Sequence, residues 1–215
     1  MILITVLAIW IFSLCLHEYS HARVAYAGGD HTVADKGYLS FNPFRYMNPM
    51  TSIVLPALFL MMGFIALPGG AVWIETWRLR SRGWASAVSL AGPAANALVC
   101  LALGVPFLLG LQENTTMWYI LAASCYWQAI AVVLNLLPLP GLDGYGALEP
   151  WLPKEAQEWG RRFKPYGFFL LVILFIASSG FQRAFQGAVE HILAVLHVGR
   201  EYWVPGLLGM RFGGS

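Results

Sequence analysis

From Ile2 to Leu16 the chain carries no charged residue, and this apolar run leads straight into His17-Glu18-Tyr19-Ser20-His21. A stretch so apolar and so long is a candidate membrane span, where ionisable side chains are costly and need a functional reason. HExxH spacing puts His17 and His21 one helical turn apart on one face, the separation a zinc ion needs. Glu18 stands beside them, able to take a proton from a bound water. A lone HExxH also arises by chance on helices, so the rest of the chain has to supply a third ligand.

Composition supports the membrane reading. Hydrophobic residues make up 58% of the 215 and charged residues 11%, against roughly a quarter charged in soluble domains. The expected fold class is therefore an all-α polytopic membrane protein. A net charge of +2 is too small to suggest a polyanion, so no nucleic-acid partner is expected. Cys15, Cys100 and Cys125 lie apart in apolar segments without CxxC spacing, which fits packing better than a disulfide framework or a thiolate metal site. Ala25-Tyr26-Ala27 imitates a signal-peptide cleavage site, but no basic segment precedes it, and a retained helix is expected.

Apolar stretches fall at Ile2–Ala27, Thr51–Ile74, Ala85–Leu111, Met117–Leu137 and Tyr166–Ser179, with an amphipathic one at Phe181–Val198. At ~1.5 Å per residue, Met117–Leu137 reaches about 30 Å, enough to cross a bilayer. Thr51–Ile74 is broken by Pro56, Gly63, Pro68, Gly69 and Gly70, so it reads as a re-entrant hairpin or a broken helix. Arg78, Arg80 and Arg82 precede one span, and Lys154, Arg161, Arg162 and Lys164 follow another. The positive-inside tendency then puts both basic loops in the cytoplasm and Gln112–Thr116 outside.

Asp143 is the natural third ligand. It and Glu18 are the acidic residues in strongly apolar surroundings, and the Pro-Leu-Pro-Gly turn at Pro138–Gly141 can return a carboxylate to the bundle. Asp-Gly is also a common turn pair, so a capping role stays open. If Asp143 joins His17 and His21, the first span and Met117–Leu137 run parallel, and Thr51–Ile74 enters and leaves on one face. His17 and Asn96 then reach similar depth. Asn96, in Ala91-Gly92-Pro93-Ala94-Ala95-Asn96, needs a hydrogen-bond partner in the bundle. It serves either as a packing amide or as a donor to a substrate carbonyl or its oxyanion. Asn135 is read as a packing or supporting group. His31, His191 and His197 fall at interfaces or on polar faces, and the nine Trp suit interfacial belts.

HExxH in the first span, Gly92-Pro93-Ala94-Ala95-Asn96 in a middle span, and Asn135-Leu136-Leu137-Pro138 leading to Leu142-Asp143-Gly144 together resemble the site-2 protease family of intramembrane zinc metalloproteases, over about residues 10 to 145. The resemblance implies a three-helix catalytic core with accessory helices. One Zn2+ is expected on His17, His21 and Asp143, with Glu18 as general base and Asn96 positioning substrate or oxyanion. It further implies a transmembrane protein as substrate, lipid contact, a homo-oligomer as an option, and a prokaryotic plasma membrane. Gly37-Tyr38-Leu39-Ser40-Phe41-Asn42-Pro43 looks like the short β-hairpin of the family's compact prokaryotic branch. Tyr46-Met47-Asn48-Pro49 departs from that branch's His-x-Asp-Pro stretch, and Trp73–Gly83 from its Pro-Val-rich loop.

Residues 1–145 are accordingly expected to form the metalloprotease core. Residues 146–215 would hold a cytoplasmic loop and C-terminal membrane or amphipathic helices. The rival readings are a catalytically silent protein that binds membrane segments, and another HExxH membrane peptidase with a glutamate on a downstream helix as third ligand.

Overall fold

The computed structural model of the chain describes residues 1–46 and 71–210. Nine α-helices are found there: α1 (Ile2–Gly28), α2 (Thr32–Asp35), α3 (Arg82–Leu108), α4 (Thr116–Asn135), α5 (Asp143–Leu148), α6 (Lys154–Phe163), α7 (Gly167–Ala177), α8 (Ser179–Val195) and α9 (Arg200–Leu208). Three of them, α1, α3 and α4, are long and apolar enough to cross a membrane. They match the expected spans closely. The helices α7 and α8 meet at Ser178 with a 102° bend, and the Ser178 hydroxyl caps α8 by accepting from Phe181 N.

Residue pairing shows the direction of each helix. Ser13, His17 and Gly28 of α1 face Asn96, Gly92 and Trp84 of α3 in reverse order, so α1 and α3 are antiparallel. Val6 packs with Ile120 and Ala123 of α4, while Ser13 bonds Gln128, so α1 and α4 are parallel, as a shared ion requires. The pairs Asn96–Gln128, Cys100–Cys125 and Phe107–Trp118 make α3 and α4 antiparallel. Cys100 and Cys125 are reduced and buried, their sulfurs 3.5 Å apart. Towards α8 and α9 the same two helices bury an apolar cluster that includes Phe107, Trp118, Phe185, Leu193 and Trp203.

The turn that ends α1 is built from its sequence. Gly29 adopts φ 118°, a left-handed conformation that suits glycine, and the N–H groups of Asp30 and Gly29 return to the carbonyls of Ala25 and Tyr26. Beyond it, Asp30 is fully buried and accepts from Thr32 N (3.1 Å), Thr32 Oγ1 (2.6 Å) and Glu75 N (2.7 Å). Lys36 Nζ and Arg78 Nε both bond Glu75, at 3.0 and 2.6 Å. Arg80 N donates to Gly28 O at 2.9 Å. The end of α1 and the approach to α3 are thus clasped together, with Lys36 beside Glu75.

One expectation is corrected. Gly37–Pro43 forms no β-hairpin, and no strand occurs among the described residues. Gly37 takes φ 75°, Tyr38 N returns to Val33 O, and Ser40 Oγ donates to Gly37 O. Asn42 caps a 3-10 turn at Pro43–Arg45, and the Tyr46 hydroxyl donates to the Tyr38 and Ser40 carbonyls. Local turns therefore consume groups that a cross-strand ladder would need. The re-entrant reading of Thr51–Ile74 falls largely outside the described residues. Among the described residues, Ala71 N donates to Tyr46 O at 2.9 Å.

Candidate metal centre

His17, Glu18 and His21 are all buried in α1. His17 Nδ1 donates to Asn96 Oδ1 of α3, and His21 Nδ1 donates to the Val88 carbonyl of the same helix at 2.6 Å. With both protons on Nδ1, each neutral imidazole presents a bare Nε2. The two Nε2 atoms lie 3.0 Å apart.

Asp143 opens α5, and two glycines dock that short helix. A Cβ on Gly144 would collide with the Leu136 carbonyl, and one on Gly146 would come within 2.7 Å of Ser89 Oγ. Ser86 and Trp151 add a second tie, with Trp151 Nε1 donating to Ser86 Oγ at 2.8 Å and Ser86 Oγ to Ala147 O at 2.7 Å. Asp143 Oδ2 consequently sits 3.3 Å from His17 Nε2 and 3.4 Å from His21 Nε2. It has no hydrogen-bond partner among the described residues.

Three acceptor atoms with no proton to share thus converge, all within 4.8 Å of one another. A divalent cation satisfies that arrangement. Tetrahedral ligands about 2.0–2.1 Å from zinc lie roughly 3.3 Å from each other, which the observed separations match. Gly92 leaves the necessary room: a Cβ there would overlap His21 Nε2 and lie 2.5 Å from His17 Nε2. Glu18 lies one residue after His17 in α1 and is 4% exposed.

The expected residues His17, Glu18, His21, Asn96 and Asp143 are therefore brought together. Asn96 is 3% exposed, and its amide nitrogen donates to Ser13 Oγ (2.9 Å) and Gln128 Oε1 (2.8 Å). Asn135 bonds back to Ala131 O within its own helix, at 3.0 Å. Ser13, Gln128 and the Val88 carbonyl were not singled out from the sequence, and Gly92 was named there only as part of the Gly92–Asn96 motif. Ser13 precedes His17 by one helical turn, and Gln128 is a polar residue inside an apolar span, so both carried a visible signal.

No family model matches the chain, and no solved structure matches it. Curated relatives do. A protein of Mycolicibacterium smegmatis named "Putative zinc metalloprotease Rip2" is 47% identical over 179 residues, covering 83% of this chain and 69% of its own. Its namesake in Mycobacterium tuberculosis is 45% identical over 212 residues, covering 98% and 81%. The Bacillus subtilis protein YwhC, named in the same way as a zinc metalloprotease, is 33% identical over 183 residues, covering 79% of each. At this identity and coverage, the chain belongs to the family of the Rip2 and YwhC zinc metalloproteases.

Proposed function

We propose that the chain is an intramembrane zinc endopeptidase of the site-2 protease type, which hydrolyses a transmembrane segment of another protein in a bacterial plasma membrane. The observation that carries this reading is the convergence of His17 Nε2 and His21 Nε2, on a helix long and apolar enough to span a bilayer, with Asp143 Oδ2 from the short helix that follows another such helix. A bound zinc would supply Lewis acidity and lower the pKa of an attacking water. Glu18 takes the proton from that water and passes it to the leaving amine. Burial of Glu18, at 4% exposed, keeps bulk water from competing for that proton. A helical peptide bond is shielded by its own backbone hydrogen bonds, so the substrate unwinds locally before cleavage. The basic residues before α3 and after α4 support a cytoplasmic location for the site's end of the bundle.

The test is metal content together with cleavage of a model transmembrane substrate by wild type and Glu18→Gln, both as purified full chains. Wild type is expected to hold about one zinc and to cut. Glu18→Gln should hold the same zinc without cutting. A zinc-loaded wild type that binds the segment but never cleaves it would favour the silent binding protein instead.

A further inference from the structure

We infer that Gln128, Ser13 and Asn96 form a hydrogen-bond relay that fixes His17 as its Nδ1–H tautomer and so readies Nε2 for the metal. This rests on the metal reading given above. The relay takes one residue from each core helix, all 1–3% exposed. Its directions are read outward from Asn96, with Gln128 Nε2 left buried and without a hydrogen-bond partner among the described residues, which keeps the turned state described below within reach. Asn96 has two amide hydrogens, and they go to Ser13 Oγ at 2.9 Å and Gln128 Oε1 at 2.8 Å. The Ser13 hydroxyl proton also goes to Gln128 Oε1, at 2.6 Å. The Asn96 oxygen is left facing His17 Nδ1. An amide oxygen only accepts, so the ring proton must be on Nδ1.

Turning the Asn96 amide alone would set its oxygen against Gln128 Oε1, two acceptors in contact away from water. Turning Gln128 as well repairs that clash, but it presents an Asn96 donor to His17 Nδ1. The ring proton then moves to Nε2, where it blocks ligation. The relay is thus a two-state element, and apparent zinc affinity falls with the fraction of chains in the non-ligating state. His21 needs no such device, because its Nδ1 partner is the Val88 backbone carbonyl, which cannot turn. Asn96 is in these terms a positioning residue, its amide nitrogen committed to Ser13 and Gln128.

The experiment measures zinc Kd by chelator competition, and the His17 tautomer by 15N-histidine NMR on metal-free protein, with the full chain in detergent micelles. Asn96→Leu is expected to weaken zinc binding roughly tenfold to a hundredfold. Gln128→Met, which does not touch His17, should weaken it less and move part of the His17 population to the Nε2–H form. Ser13→Ala should weaken binding, and Ser13→Thr should restore it. If Asn96→Leu does not fold, Gln128→Met and the Ser13 pair decide. Wild-type Kd and an unchanged tautomer in Gln128→Met and Ser13→Ala would overturn the relay. A wild type that binds no zinc would overturn the metal reading itself.

Discussion

The contact between α1 and α3 is fastened twice, and the two fastenings use different chemistry. At the level of His17 and His21 the joints are neutral: imidazole to amide, imidazole to backbone carbonyl, amide to hydroxyl. Beyond the end of α1 the joints are charged, with Asp30 buried under backbone donors and Lys36, Glu75 and Arg78 paired. Inside an apolar span an unmet charge is prohibitive, and among the described residues the acidic groups beside His17 and His21 are Glu18 and Asp143, the two the proposed metal chemistry would use. Near the polar ends, ion pairs form readily but contribute little each. The inner fastening should therefore govern function, and the outer one stability.

The widest separation between the two should come from ligand removal. His21→Ala and Asp143→Ala are expected to lose essentially all bound zinc, measured as metal per chain, and all turnover. Full zinc in Asp143→Ala would end its assignment as a ligand. Next comes Gly92→Ala, where the added Cβ occupies the space beside both Nε2 atoms; zinc affinity should fall roughly a hundredfold. Gly83→Ala, in the same helix but with only Ser81 Oγ at 3.7 Å, should bind zinc as wild type does.

The outer fastening gives smaller effects on a different readout. Asp30→Ala strands three donors and should lower unfolding stability by about 1–3 kcal/mol with zinc stoichiometry intact; lost zinc in that variant would merge the two fastenings into one. Outside both fastenings, Gly187→Ala in α8, with open space around it, is a control that should raise stability by roughly 0.5–1 kcal/mol. Glu75→Gln should have the least effect. Hydrogen bonds from Arg78 and Lys36, helped by their charges, hold the Glu75 carboxyl below its ordinary 4.5. Its contribution is present above that value and disappears as pH falls through the lowered one. A stability curve for Glu75→Gln that parallels wild type through the acid range would remove Glu75 from the clasp.

The core was largely legible before any coordinates, and the reasons differ by element. The candidate spans α1, α3 and α4 announce themselves because hydrocarbon would exclude charge over a fixed length. His17 and His21 are visible because helical spacing converts directly into geometry. Asp143 could be found because few other carboxylates sit in apolar surroundings. The hairpin expectation at Gly37–Pro43 failed because turn bonds from Ser40, Asn42 and Tyr46 outcompeted strand pairing. Asp30 was passed over because it follows Gly28-Gly29 and reads as loop, although Asp-His-Thr is suited to the side-chain turn it makes with Thr32. The Ser13–Gln128–Asn96 arrangement depends on how three helices rotate about their axes, which no single segment encodes.

Because α1 and α4 run side by side in the same direction, two of the three candidate ligands come from the beginning of the core and the third from its end. During synthesis at roughly 5–20 residues per second, the ribosome needs on the order of ten seconds to get from His21 to Asp143. Throughout that interval the nascent chain holds two of the three candidate ligands and no complete site. Chains interrupted anywhere before α5 would lack Asp143 and so could not complete the candidate metal centre, whatever the rest of the core had formed.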